Sequence, residues 1–260
     1  MLTFRQRRFT PGAGSKGGSR EPLGRPQTKT YTMKKVTLLL CLFASSLGLR
    51  GAEAAPSYSV TVDFPYASKY VFRGVQYAKE SIQPSVELAS GNFYAGIWTN
   101  QPITDNLDNE FDFYAGYGLP LSDTVKLDFG ATLYYYPEAD TSVYDSNTFE
   151  GYIGLTGSVS GFSPGVYAYY DTTLKAFTLQ GSVGYSVPMA TAGTSLDFSA
   201  TLGNVSPDSG SDYAYWGLGV NLPYKLSEKA TAAIGVQYAS TNADGSDDYV
   251  WFTAGVTVGF

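Results

Sequence analysis

The sequence predicts an all-β fold: an antiparallel transmembrane β-barrel of about 12 strands, preceded by a signal peptide. Three observations favour this fold. Short segments alternate apolar with polar or small residues, the connections between these segments alternate in length, and the final segment ends on Phe260. Alternation with a period of two places successive side chains on opposite faces of a strand. A closed barrel leaves no unpaired strand edge, which is what a hydrocarbon environment requires.

The first 54 residues differ in chemistry from the rest of the chain. Residues 1–32 are basic and rich in Gly, Pro and Ser, without apolar periodicity, which predicts a disordered extension. Met33 then opens a basic start, an apolar run and a small-residue cleavage pattern ending at Ala54, so residues 33–54 are predicted to be a signal peptide. Met33 is the expected true start, with residues 1–32 an artefact of start assignment. Leu40, rather than a small residue, precedes Cys41, so lipidation is not expected.

Residues 55–260 carry the alternating segments of the predicted barrel. In one of them Phe111, Phe113, Ala115, Tyr117 and Leu119 alternate with Asp112, Tyr114, Gly116 and Gly118. Such segments predict strands near 58–74, 81–90, 92–100, 109–120, 124–136, 148–159, 164–172, 176–187, 194–204, 212–223, 229–240 and 248–260. The even number suits a barrel.

The connections between the predicted strands fall into two sets. The short set is 90–91, 121–123, 160–163, 188–193 and 224–228; the longer or more acidic set is 101–108, 137–147, 205–211 and 241–247, with 173–175 as a short exception. If the last strand ends in the periplasm, the long set is extracellular, as in outer-membrane barrels. Phe260 on the apolar face of that strand is the expected recognition signal for the barrel assembly machinery.

The apolar faces are expected to contact lipid. The 22 Tyr and 15 Phe residues suit aromatic girdles at the two membrane interfaces, and the 29 Gly residues suit crowded inward positions. After residue 55 no run of 18 apolar residues occurs, so a helical membrane protein is not predicted. The alternative is a secreted β-sandwich in which the same apolar faces form a core.

Charge and composition exclude several classes of function. Residues 55–260 contain 21 acidic and seven basic side chains, a net charge of −14, which should repel nucleic acid. The chain has no histidine, and no cysteine follows Cys41, so neither a Ser-His-Asp triad nor an imidazole or thiolate metal site can form. We therefore predict no enzyme, no cofactor and no histidine or cysteine metal centre, although paired inner-face carboxylates for glycoside cleavage are compatible with the composition.

Several blocks of this region resemble a known family. They are Ser68-Lys69-Tyr70-Val71-Phe72-Arg73-Gly74-Val75, Phe93-Tyr94-Ala95-Gly96-Ile97-Trp98, Phe113-Tyr114-Ala115-Gly116-Tyr117, Leu133-Tyr134-Tyr135-Tyr136-Pro137 and Glu150-Gly151-Tyr152-Ile153-Gly154. With them the chain resembles the TorF-type putative porins over most of residues 55–260. The resemblance implies an outer-membrane barrel of channel function, without catalytic residues. Lys69 departs from the family pattern, which usually has an acidic or polar residue there.

The predicted inner face supplies the candidate site residues. Its cations are Arg73, Lys69 and Lys126, with Lys69 and Arg73 expected on one strand face; its carboxylates include Glu87, Asp112, Asp128, Glu150 and Asp197, together with Asp63 and Asp171; its aromatic side chains include Tyr94, Trp98, Tyr114, Tyr134 and Tyr152. These charges are expected to form a structural salt-bridge network across the lumen or a selectivity constriction. The aromatic residues either pack the lumen or line a path for flat, sugar-like solutes.

The expected function is that of a porin-like channel in the outer membrane. It would allow passive diffusion of small hydrophilic solutes or ions with a weak cation preference. The alternative is a closed structural or adhesive barrel that binds a partner through acidic extracellular loops. Expected partners are outer-membrane lipid, lipopolysaccharide and the barrel assembly machinery. Calcium could bind acidic loop clusters such as Asp105, Asp108 and Glu110, or Asp244, Asp247 and Asp248, although their spacing matches no defined calcium loop.

Overall fold

The chain folds into an antiparallel sheet that closes on itself. The computed structural model describes residues 58–104, 107–142 and 145–260. The predicted N-terminal extension (1–32) and signal peptide (33–54) lie outside these residues. The fold class predicted from the sequence, an all-β antiparallel transmembrane barrel, is confirmed.

The strands are short, as expected for a barrel wall. In chain order they are β1 (Tyr58–Asp63), β2 (Tyr66–Ala67), β3 (Tyr70–Phe72), β4 (Val75–Ala78), β5 (Ser81–Ile82), β6 (Ser85–Ser90), β7 (Phe93–Pro102), β8 (Glu110–Pro120), β9 (Val125–Tyr135), β10 (Asn147–Gly157), β11 (Phe162–Asp171), β12 (Ala176–Met189), β13 (Thr194–Pro207), β14 (Tyr213–Lys225), β15 (Ala230–Thr241) and β16 (Tyr249–Gly259). The described residues include one short 3-10 turn, Ala190–Ala192, and no helix in them has the length and apolar character needed to cross a membrane.

Closure comes from the pairing of the first and last strands. β1 pairs antiparallel with both β6 and β16. β1 and β2 both pair with β16, so together they form one barrel strand. In the same way β5 and β6 both pair with β7 and form one barrel strand. The interruptions fall at Pro65 and Pro84, because proline has no N–H to donate to the ladder. Twelve strands therefore surround the lumen, the number that the sequence predicts.

The outer surface of the barrel is apolar. Along β8 the residues Phe113, Tyr117 and Leu119 are exposed, while Glu110, Gly116 and Gly118 on the other face are buried. Aromatic side chains on the outside lie close to the strand ends, in pairs such as Phe162 with Tyr185 and Trp216 with Tyr238; others are Phe93, Tyr117, Tyr135, Tyr170 and Phe177. This distribution matches a lipid-facing belt between two aromatic girdles.

The two ends of the barrel differ in the length of their connections. At one end, the turn end, the connections are 91–92, 121–124, 158–161, 190–193 and 226–229. At the other, the loop end, they are 68–80, 103–109, 136–146, 172–175, 208–212 and 242–248. Phe260 follows β16 at the turn end, where its N–H donates to the carbonyl of Val60 at 2.9 Å.

The prediction of one strand over 58–74 is wrong beyond Ala67. After Ala67 the chain leaves the barrel wall, and β3 and β4 form a separate two-stranded sheet. Phe72 pairs with Val75 across a two-residue turn in which Arg73 has φ 48° and Gly74 has φ 79°. Two successive residues with positive φ characterise the tight turns of β-hairpins. We call residues 68–80 the lumen hairpin.

Candidate functional site

The lumen hairpin lies across the interior of the barrel at its loop end. The ring of Tyr70 is 5.4 Å from that of Trp98 on β7. At the tip, a Cβ atom on Gly74 would lie 2.7 Å from the Cβ of Tyr215 on β14 and 2.8 Å from that of Thr241 on β15. Only glycine allows so close an approach. The hairpin therefore reaches from the wall where it begins to strands β14 and β15.

A buried ion pair fixes the tip of the hairpin to the barrel wall. The guanidinium of Arg73 donates to both carboxylate oxygens of Glu150 on β10, at 2.8 and 2.9 Å. The two side chains are 12% and 4% exposed. Tyr134 adds a hydroxyl donor to Glu150 at 3.0 Å, and the ring of Tyr169 lies 4.7 Å from the guanidinium carbon. Bidentate geometry and an aromatic neighbour both favour a buried guanidinium.

Two carboxylates lie near the hairpin at the loop end of β8. Glu110 is buried and accepts a hydrogen bond from the Tyr136 hydroxyl at 3.1 Å. Asp112 has one buried carboxylate oxygen, Oδ1, for which the described residues provide no hydrogen-bond partner. Its position two residues from Glu110 on the same face brings two carboxylates together near the hairpin.

A layer of tyrosines covers the wall formed by β7 to β11. Tyr94 and Tyr167 donate to the two oxygens of Asp128 at 2.9 Å each, and the hydroxyls of Tyr94 and Tyr152 are 2.5 Å apart. Tyr114 donates to Glu87 at 3.0 Å. Asp128 is only 7% exposed, and its two oxygens both accept hydrogen bonds from these phenols. We call the four tyrosines, Tyr94, Tyr114, Tyr152 and Tyr167, the tyrosine layer.

The tyrosine rings lie flat because glycines stand beneath them on neighbouring strands. A Cβ atom on Gly116 would overlap the rings of Tyr94 and Tyr152, and one on Gly154 would overlap the ring of Tyr167. Glycine is therefore the residue that lets an aromatic ring bridge two strands along the wall. As a result the rings line the lumen instead of projecting to its centre.

We expect Gly116→Val to destabilise the barrel by about 1–3 kcal/mol, because two rings of the tyrosine layer must leave their positions. The measurement is urea unfolding of the lipid-embedded protein, followed by tryptophan fluorescence. Gly151→Val is the matched control, since a Cβ atom there meets nothing nearer than the Gly130 carbonyl at 4.0 Å. Equal stabilities of the two variants would contradict the proposed packing.

The opposite wall, β12 to β16, is nearly free of charge. Its strands contain two charged residues, Asp197 and Lys225. Near the loop end its inner face bears the aromatic residues Tyr213, Tyr215, Tyr249 and Trp251. The rest of that face consists mainly of amides, hydroxyls and glycines: Thr178, Gln180, Ser182, Ser199, Thr201, Gly217, Gly219, Asn221, Gly235, Gln237, Thr253 and Gly255. We call this surface the neutral wall. The lumen thus has one side that is charged and aromatic, and another that bears almost no charge and has mostly small residues away from the loop end.

The structure places most of the predicted site residues on the inner face. Glu87, Asp112, Asp128, Glu150, Asp197, Tyr94, Trp98, Tyr114, Tyr134 and Tyr152 all share the inward register of their strands. Lys126 lies inward near the turn end, against Gly118. The prediction for Lys69 needs correction: this residue precedes β3, is partly exposed and donates to the carbonyl of Val250 at 2.6 Å. Because the chain turns inward after Ala67, Lys69 and Arg73 do not share a strand face.

Other residues of the lumen were not predicted from the sequence. Glu110 is buried in the lumen instead of forming part of a loop cluster, and Tyr167, Tyr169 and Tyr215 extend the aromatic lining. The alternation of Tyr167 and Tyr169 with Ala168 was a signal that could have identified the first two. Among the described residues, no group of three or more His, Cys, Asp or Glu side chains is placed to hold a metal ion.

Comparison with known families places the chain in a group. A family model described as "Bacterial protein of unknown function (Gcw_chp)" matches residues 51–259. The chain belongs to this family. No curated protein matches it. The family description assigns no activity, so the function of this Gcw_chp protein has to be argued from its own lumen.

Several solved porin structures are similar to this Gcw_chp chain. A KdgM porin is 14% identical, with 77% of this chain and 99% of that chain covered and a TM-score of 0.55. A KdgM porin in complex with disordered oligogalacturonate has a TM-score of 0.53 at 14% identity, covering 78% and 99% of the two chains. A NanC porin has a TM-score of 0.52 at 14% identity, covering 76% and 98%. At this identity the likeness shows a shared fold, a closed antiparallel β-barrel.

Proposed function

We propose that this protein is an outer-membrane channel for passive diffusion of small hydrophilic solutes or ions, with a weak cation preference. The observation that carries the proposal is a lumen lined with polar and small side chains inside a barrel whose outer surface is apolar. Such an inside-out distribution suits a water-filled path through lipid. The resemblance to TorF-type putative porins and the shared porin fold support the same function.

The proposed location follows from the ends of the chain and of the barrel. A cleavable signal peptide over 33–54 would export the protein, and Phe260 would be recognised by the barrel assembly machinery. With Phe260 in the periplasm, the turn end is periplasmic and the loop end is extracellular. The loop end would then face lipopolysaccharide, and the lumen hairpin would form the constriction near the outer mouth.

Charge on the inner face supports only a weak preference for cations. The inward carboxylates are Asp63, Glu87, Glu110, Asp112, Asp128, Glu150, Asp171 and Asp197, against the cations Arg73 and Lys126. Half of these carboxylates are buried, and Glu150 is neutralised by Arg73. Hydrogen bonds from tyrosines occupy Asp128 as well. The remaining inward carboxylates attract cations, but they do not form a dense ring of exposed charge, so the selectivity should be weak.

In planar bilayers we expect discrete conductance steps from the purified protein. Under a KCl gradient the reversal potential should be small and of the sign that indicates cation preference. Asp63→Asn with Glu87→Gln should move the reversal potential towards zero, because both carboxylates lie on the inner face away from the buried ion pair. Absence of current at all salts and voltages would contradict the channel proposal.

A closed structural or adhesive barrel is the second candidate function. The lumen hairpin favours it, because its tip contacts β14 and β15 and binds Glu150 on β10 across the lumen. Acidic loop residues that are exposed, including Asp208, Asp212, Asp244 and Asp247, would then contact the partner. The neutral wall argues for the channel, because closing the lumen requires large side chains at every level, and away from the loop end the inner residues of this wall are mostly small.

A further inference from the structure

A cavity lies between the tip of the lumen hairpin and the neutral wall. Its volume is about 200 Å³, smaller than a drug-sized site, so it offers room for one small ring. The hairpin contributes Val71, Arg73 and Gly74 to its lining. The barrel contributes Gln180, Ser199, Thr201, Tyr215, Gln237 and Trp251. The cavity therefore combines amide, hydroxyl and aromatic groups at the narrow level of the lumen.

The polar side chains of this cavity are held in fixed positions. The Tyr215 hydroxyl donates to the Gln180 carbonyl oxygen at 2.7 Å, which leaves the Gln180 NH2 group to act as a donor. The Gln237 NH2 group donates to Asn221 at 3.1 Å, and the Gln237 side chain lies over Gly219 next to Ser199. Preordered groups lose little conformational entropy when a ligand binds.

The lining of the cavity bears no uncompensated charge. Arg73 is its only ionised side chain, and both terminal nitrogens of its guanidinium bind Glu150. Asp197 lies two residues from Ser199 towards the turn end and accepts a hydrogen bond from Ser186. An ion that enters the cavity loses water without gaining an opposite charge, which costs free energy. Uncharged hydroxyl groups can exchange water for amides and hydroxyls at little cost.

We propose that this cavity is a binding subsite for uncharged polyhydroxylated solutes the size of one sugar ring. Hydroxyl groups of the solute would bind Gln180, Gln237, Ser199 and Thr201, while the indole of Trp251 offers an apolar surface to a ring face. The proposal deepens the channel function, because a solute bound there would occupy the constriction.

Three solutes of one ring size test the proposal: glucose, glucosamine and glucuronate. Binding to the detergent-solubilised full barrel is measured by calorimetry, and the block of single-channel ion current is recorded in bilayers. We expect glucose to bind and to block, with both charged sugars at least fivefold weaker. Gln237→Leu should weaken glucose binding about tenfold, the loss of one or two hydrogen bonds. Gln101→Leu, the same change outside the cavity, should leave it unaltered.

The outcomes separate the subsite from the channel. Glucose binding that is lost in Gln237→Leu but retained in Gln101→Leu supports the subsite, even if no ion current is observed and the channel proposal fails. A barrel that conducts ions but binds glucose no better than glucuronate or glucosamine overturns the subsite and leaves the channel proposal intact. Equal glucose affinity of the wild type and Gln237→Leu also overturns it.

Discussion

Replacing residues 68–80 with the dipeptide Asn-Gly is expected to raise the single-channel conductance several-fold. Ala67 and Ser81 are direct register partners on β2 and β5, so a two-residue turn connects them without altering the barrel wall. Asn-Gly favours the type I′ turn that such a connection requires. The change removes the lumen hairpin, which lies across the interior and whose tip contacts β14 and β15. Conductance rises because the narrowest level of the path is widened.

The measurement is the amplitude of conductance steps in planar bilayers, together with liposome swelling rates for solutes of increasing size. The matched control replaces residues 243–247, another connection at the loop end, with the same dipeptide. Folding of both variants is checked by resistance to unfolding in cold detergent. A correctly folded variant that lacks the hairpin but conducts like the wild type would contradict the assignment of the hairpin as the constriction.

The barrel wall could be predicted from the sequence because lipid and water act on opposite faces of every strand. In β8, Phe113 and Tyr117 face the lipid, and Asp112 and Gly116 face the lumen. Each residue lies on the face that the alternation predicts. Strand ends shifted by a few residues, as at β13, which continues to Pro207. Chain closure requires no further information, since a sheet in lipid cannot keep a free edge.

The lumen hairpin could not be predicted in the same way. Tyr70, Val71 and Phe72 continue the strand-like composition of β1, and arginine is an uncommon residue at positive φ. The glycine at 74 was the one local signal of a two-residue turn. Glu150, the partner of Arg73, lies 77 residues further along the chain, and alternation alone does not indicate which strands face each other.

The contacts within the tyrosine layer could not be predicted from the sequence either. The sequence places Tyr94, Tyr152 and Asp128 on the inner face, but their contact depends on the register of β7 to β10. A ring can reach across a strand only where the residue beneath it is glycine, as at Gly116. Tyrosine and glycine are both abundant in the sequence, but which tyrosine lies over which glycine depends on the register of the paired strands.

Removing one partner of the buried Arg73–Glu150 ion pair should strongly lower the stability of the barrel. We expect Arg73→Met to lower the free energy of unfolding by about 3–5 kcal/mol, because Glu150 would remain buried with the Tyr134 hydroxyl and without an opposite charge. Methionine retains much of the length and flexibility of the arginine side chain, so lost packing contributes little. Release of the hairpin tip should also increase the conductance and its fluctuation.

The double variant Arg73→Met with Glu150→Gln distinguishes charge from packing. Glutamine can still accept the Tyr134 hydrogen bond, and no charge is buried, so most of the lost stability should return. Stability is measured by urea unfolding in lipid vesicles for the wild type, both single variants and the double variant. If Arg73→Met unfolds at the same urea concentration as the wild type, the pair does not fix the hairpin. If the double variant is as unstable as Arg73→Met, packing at the tip outweighs the electrostatics of the pair.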